Sequence, residues 1–160
     1  MGPRLGPGVQ DAKESRALNP FIRLCETHIE YEADPRQVER LIAECGMEGA
    51  NGYATPGVKA TFRELEEDAD LPLSLHTAFR GAAAPANYFA ADRIDAQFAC
   101  KEICRYMAKP TAHARTALKR FCRYSSSAQR IVYKFWKQSV KGVDVYADTD
   151  WAGCPQTMKS

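Results

Sequence analysis

Asp148 and Asp150 stand at the end of the alternating run Val143-Asp144-Val145-Tyr146-Ala147. Strand alternation puts Val143, Val145 and Ala147 on one face and Asp144, Tyr146 and Asp148 on the other, which delivers a carboxylate to the strand's C-terminal tip. Carboxylate oxygens are the donors that Mg²⁺ prefers. Hydrolysis of a phosphodiester at neutral pH uses such a cation to spread the developing charge and to make a nucleophile from water. A pair of cations needs several carboxylates, and Asp148 with Asp150 supplies only part of that cage before the sequence ends at Ser160. The expectation is an incomplete metal site, with no hydrolytic centre complete within the chain and no tightly held Mg²⁺. The alternative for Asp148 is a solvated aspartate at a strand end.

A second set of candidates is basic. Arg115, Lys119 and Arg123 recur every four residues along one helical edge, with Arg120, Lys101 and Arg105 nearby. Such side chains contact phosphates without reading sequence, and their affinity falls steeply with salt. The same pattern also describes an ordinary charged helix surface. Tyr133, Phe135 and Trp136 carry rings that can stack on bases, although a run of this kind also builds β-core. Cys100, Cys104, Cys122 and His113 are zinc-type donors. No CxxC pair accompanies them, and Cys100 and Cys104 fall on an apolar helix stripe, where free cysteine behaves as a small apolar residue.

Charge and composition set limits. Lys and Arg number 22 against 20 Asp and Glu, a net charge of +2, too small to demand a polyanionic partner. The basic residues concentrate in the second half, so any nucleic-acid contact is local. No run approaches the roughly 18 to 20 apolar residues of a membrane span, and the first residues lack a signal-peptide core. These features predict a soluble, intracellular chain, cytoplasmic or nuclear, with no membrane partner. The six cysteines, at 25, 45, 100, 104, 122 and 154, are too sparse for a secreted disulfide scaffold and are expected to be reduced.

The elements that must position these residues read as α+β. Residues 1–19 mix Gly, Pro and charge without periodicity, as in a flexible leader. Phe21 to Tyr31 reads as a hairpin about a polar Glu26-Thr27-His28 turn, and Asp34-Pro35 opens a helix carrying Val38, Leu41, Ile42 and Cys45 before Gly46 ends it. The hairpin and helix make up 20–46, followed at 47–73 by an acidic Gly/Pro linker. Three helices are expected within 74–128. The first runs from about Leu75 to Ala91, with a kink or break at Pro85. The second runs from about Asp95 to Lys109 and is stopped by Pro110. The third is capped by Thr111 and carries Ala114, Ala117, Leu118, Phe121 and Cys122 as its apolar stripe. In 129–160, the β-forming run Arg130–Trp136 turns at Gly142 to pair with the Asp148 strand, so that a hairpin closes the chain.

In this order the segments resemble the region of a copia-type long-terminal-repeat retrotransposon Pol polyprotein that joins reverse transcriptase to ribonuclease H. The landmarks are Tyr31-Glu32-Ala33-Asp34-Pro35-Arg36-Gln37, Ala54-Thr55-Pro56-Gly57, Phe79-Arg80-Gly81, Asn87-Tyr88-Phe89-Ala90-Ala91-Asp92-Arg93, Lys109-Pro110-Thr111, Leu118-Lys119-Arg120, Arg123-Tyr124 and Asp148-Thr149-Asp150-Trp151-Ala152-Gly153. The resemblance implies a helical thumb and connection that grips primer and template, followed by the first strand of a truncated ribonuclease H-like sheet. It makes Asp148 the first metal-binding aspartate, vestigial here, with Asp150 the weaker candidate for a ligand in the incomplete site and Mg²⁺ the cofactor of the intact enzyme. No Tyr-x-Asp-Asp turn of a polymerase occurs in the chain. The family's turn Arg-Pro-Asp appears as Arg93-Ile94-Asp95. The implied function is that of a catalytically inactive polyprotein fragment that binds RNA–DNA hybrid or other nucleic acid weakly and non-specifically through Arg115, Lys119, Arg120 and Arg123, with the remainder of the polyprotein as a further partner. The alternative is a small α+β interaction module, for nucleic acid or protein, retained by a host without catalysis.

Overall fold

A computed structural model describes residues 5–16, 18–139, 142 and 144–147. It is mixed α+β: a four-stranded antiparallel sheet beside a helical layer. The strands are β1 (Glu14–Arg16), β2 (Phe21–Leu24), β3 (His28–Glu32) and β4 (Val132–Trp136), in spatial order β1-β2-β3-β4. The helices are α1 (Pro35–Glu44), α2 (Phe62–Glu66), α3 (Leu73–Ala90), α4 (Ile94–Cys104) and α5 (Ala112–Ser127).

Local chemistry accounts for the helix borders. Asp34 caps α1 by accepting from the Arg36 amide, Pro35 occupies the first turn, and Gly46 leaves the helix at φ +59°. Thr61 and Glu64 close a reciprocal capping box that starts α2 inside the acidic segment expected to be loop alone. Thr111 accepts from the Ala114 amide and opens α5. Val38 and Leu41 of α1, Phe79, Ala83 and Phe89 of α3, Ile103 of α4 and Phe121 of α5 form the centre of one hydrophobic core.

Several expectations are corrected. Residues 14–16, placed in a flexible leader, form β1 and pair with β2, Glu14 opposite Arg23. The run Val132–Trp136 is a strand, but its partner is β3, with Tyr133 opposite Tyr31 and Val132 opposite Glu32. The expected C-terminal hairpin falls in part outside the described residues; of its second strand only 144–147 are described, and they adopt no strand. The helix from Asp95 ends at Cys104 rather than Lys109. There the Arg80 guanidinium takes the carbonyls of Met107 (2.7 Å) and Ala108 (3.1 Å), which a continuing helix would not present to it.

Pro85 does not break α3, which runs unbroken through it. The carbonyl that loses its donor belongs to Gly81, an exposed residue that water can reach. On the other side Ala82, Ala83, Ala86 and Phe89 are buried, and their packing offsets the proline's cost. The cysteines are not all free: α1 lies against α5, and Cys45 and Cys122 are joined as a disulfide. Among the described residues no helix is long and apolar enough to cross a membrane.

Candidate nucleic-acid interface

The position of α4 is fixed by a buried ion pair. Arg93 is wholly buried, its guanidinium 4.9 Å from the centre of the Phe89 ring. It donates through Nε and Nη2 to both oxygens of Asp95, each at 2.8 Å, the bidentate geometry for which guanidinium is suited. Asp95 also accepts from Tyr124 of α5 and Tyr133 of β4, each at 2.7 Å. Burial alone would raise the Asp95 carboxyl, but the hydrogen bonds from Arg93, Tyr124 and Tyr133 outweigh it and bring its pKa down to about 2. One carboxylate thus ties the start of α4 to α5 and to the sheet. A parallel tie joins Tyr31 of β3 to Asp92, with burial and that carboxylate pushing the tyrosine up to about 12.

Next to Tyr31 on β3, Glu32 is buried and accepts from Arg23 and Arg130. Those hydrogen bonds, Arg130's foremost, hold its carboxyl below the usual range despite burial.

With α4 and α5 so placed, a groove of about 500 Å³ opens between them and the segment 53–65. Its cations are Lys59 from that segment, Lys101 and Arg105 from α4 and its C-cap, and Lys119, Arg120 and Arg123 from α5. Its rings are Tyr53, Phe98 and Tyr106, and Phe98 is 65% exposed. Cationic and aromatic groups in one groove suit a flexible polyanion with stackable bases. Glu64 and Glu102 also line it, and Glu102 pairs with Arg105 at 3.1 Å.

Two of the arginines hold the groove's wall. Arg120 and Arg123 lie over the Tyr53 ring at 4.4 and 4.2 Å. Arg123 Nε donates to the Asn51 carbonyl at 2.6 Å, and Arg120 Nη2 donates to Thr55 Oγ1 at 2.7 Å. Ser127 completes the clasp through Tyr53 O at 2.9 Å, and a Cβ on the adjacent Gly52 would come within 2.4 Å of Ser127 Cβ. Glycine is needed there for the close approach. At the opposite end, Leu71 N donates to Pro110 O and Ala112 N to Ala69 O, each at 2.9 Å, and hold the acidic segment to the α4–α5 junction.

The basic residues singled out in the sequence therefore part company. Lys101, Arg105 and Lys119 are exposed at the groove, and Arg120 and Arg123 brace the loop beside it. Arg115 is exposed on α5 but does not line the groove. Asp148 and Asp150 lie outside the described residues. The zinc-type set does not assemble: Cys122 is bonded to Cys45, and Cys100 lies 3.9 Å from Cys104, whose sulfur, with burial, pushes the Cys100 thiol up. Tyr133 is spent on Asp95, whereas Phe135 and Trp136 are exposed. Among the described residues the cluster of three metal-type donors is Cys25, His28 and Glu30 rather than the carboxylates that Mg²⁺ prefers.

Sequence reasoning missed Tyr53 and Phe98 as groove residues and Arg93–Asp95 as the brace. The spacing Arg93-x-Asp95 was visible, but only burial distinguishes it from a surface pair. No family model matches the chain, and no match is found among curated proteins or solved structures.

Proposed function

We propose that the chain is a nucleic-acid-binding segment of a copia-type Pol polyprotein, spanning the end of reverse transcriptase and the opening of ribonuclease H, that performs no hydrolysis alone. The observation that carries the binding reading is the convergence of Lys101, Arg105 and Lys119 with Phe98 in one groove. The assignment to the polyprotein rests on the ordered landmarks from Tyr31-Glu32-Ala33-Asp34-Pro35 to Asp148-Thr149-Asp150-Trp151. The cations contact phosphates, which are the same in every sequence, and the rings accept any base, so binding is non-specific and weak. RNA–DNA hybrid or other nucleic acid is the ligand expected from the resemblance, its phosphates meeting the cations and only unpaired bases meeting the rings.

The test is equilibrium binding of a fluorescent RNA–DNA hybrid to the full chain. Lys101→Glu with Lys119→Glu weakens binding at least tenfold, while Arg115→Glu, off the groove, changes it less than threefold. Equal losses from both variants would refute the groove as the interface.

A further inference from the structure

The β2–β3 turn brings together three donors that the nucleic-acid reading does not use. Leu24 pairs with Ile29, and Cys25 N donates to His28 O at 2.9 Å, so Cys25 and His28 face each other across the two-residue turn Glu26-Thr27. Directly opposed residues of an antiparallel pair project to the same face, and Glu30, two residues beyond His28, shares it. Cys25 Sγ, a His28 ring nitrogen and a Glu30 oxygen consequently lie within 4.8 Å of one another. The face also carries Arg23 and Lys134, which approach Glu30 at 3.8 and 3.6 Å.

The turn is held before any ion arrives. Lys137, just past β4, donates its amide to Thr27 O at 2.8 Å and its ammonium to the carbonyls of Cys25 (2.7 Å) and Glu26 (2.9 Å). The His28 ring lies against Trp136, centroids 4.9 Å apart. Its Nδ1 is 3.0 Å from Thr27 Oγ1 and its Nε2 3.3 Å from Glu30 Oε1. When Nδ1–H donates to the threonine hydroxyl, Nε2 turns its lone pair towards Glu30, the arrangement in which an outer partner fixes a ligating histidine.

We propose that Cys25, His28 and Glu30 form a binding site for a borderline divalent transition ion of the zinc class, with a fourth position open to solvent. One sulfur, one imidazole nitrogen and one carboxylate oxygen are zinc's customary donors, and three protein ligands leave a position for water. His28 and Glu30 side chains are only 13% and 20% exposed, which limits competing hydration. The ion replaces the hydrogen-bonded contact between Nε2 and Glu30, and Cys25 gives up its thiol proton to solvent as it binds. Thiolate and carboxylate together balance the ion's two charges, and Arg23 and Lys134 loosen their hold on Glu30.

Cobalt(II) is the probe, titrated into the full chain without chelator. The expected result is one ion per chain with intense tetrahedral d–d absorption and a thiolate-to-cobalt charge-transfer band, displaced by zinc. Cys25→Ser abolishes the charge-transfer band, and His28→Gln or Glu30→Gln weakens binding at least tenfold, while Cys100→Ser leaves both unchanged. Circular dichroism verifies that each variant is folded, and should Cys25→Ser unfold, Glu30→Gln decides. A band that persists in Cys25→Ser, undiminished binding in Glu30→Gln, or no binding at millimolar cobalt would overturn the proposal.

Discussion

Replacing Asp95 with alanine should be among the most damaging single changes in the chain. The substitution strands the Arg93 guanidinium, which is wholly buried, and deprives the hydroxyls of Tyr124 and Tyr133 of their acceptor. Removing one partner of a buried, hydrogen-bonded pair costs about 3–5 kcal/mol, against a total stability of about 5–15 kcal/mol for a domain of ordinary size. With a urea slope of about 1–3 kcal/mol per molar, the unfolding midpoint should fall by at least about 1 M. The pH dependence supplies a second reading. The Asp95 carboxyl drops from its ordinary 3.8 to about 2, so at neutral pH the carboxylate contributes about 2 kcal/mol. Because the folded value is the lower one, that contribution is complete above about pH 4 and disappears as pH falls towards about 2. Urea unfolding followed by circular dichroism at pH 7 and pH 3 measures both effects. Arg93→Met with Asp95→Leu should recover most of the loss, since an apolar pair leaves no buried charge. A penalty below about 1 kcal/mol for Asp95→Ala, or a double variant as unstable as the single, would refute the account of the brace.

Three other outcomes follow from the fold. Tyr53→Ala removes the ring under Arg120 and Arg123 and should cost about 1–2 kcal/mol, while limited proteolysis should cut first within 51–57; unchanged protease resistance would contradict the clasp. Reducing the Cys45–Cys122 bond, which links residues 77 apart in sequence, should lower stability by about 4 kcal/mol on the chain-entropy estimate. Thiol titration of the denatured chain should rise by two on reduction, and no rise would show the bond absent. Pro85→Ala restores a donor to the Gly81 carbonyl and should raise stability by about 1–2 kcal/mol, as a thermal melt would register; a fall of that size would mean that the proline ring is itself needed for packing.

Local signals in the sequence carried most of the elements. Asp34-Pro35 and Gly46 bounded α1, Thr111 opened α5, and β-branched and aromatic residues marked β4. What escaped was non-local. β4 joins β3 across about a hundred residues, as the Arg130–Glu32 contact shows at a separation of 98, and a hairpin with its nearer neighbour looked the simpler pairing. β1 is three residues of ordinary polarity that become a strand only because β2 offers an edge. α2 was written in Thr61-Phe62-Arg63-Glu64, but five residues among acidic neighbours did not stand out. The candidate interface was half legible: helical spacing put the cations on α4 and α5, but not the loop that turns two of them into braces. Arg120 and Arg123 look like phosphate ligands until both guanidinium groups are seen over Tyr53, with Thr55 and the Asn51 carbonyl accepting from them.

The salt dependence of hybrid binding tests the central claim most directly. Contacts from Lys101, Arg105 and Lys119 imply a log–log slope of about −2 to −3, so raising salt from about 50 to 200 mM should weaken binding about 15- to 65-fold. With Lys101→Glu and Lys119→Glu the slope should shrink to about −1 or less. Binding insensitive to salt, or a slope that the double variant leaves untouched, would contradict a phosphate-contacting groove between α4 and α5.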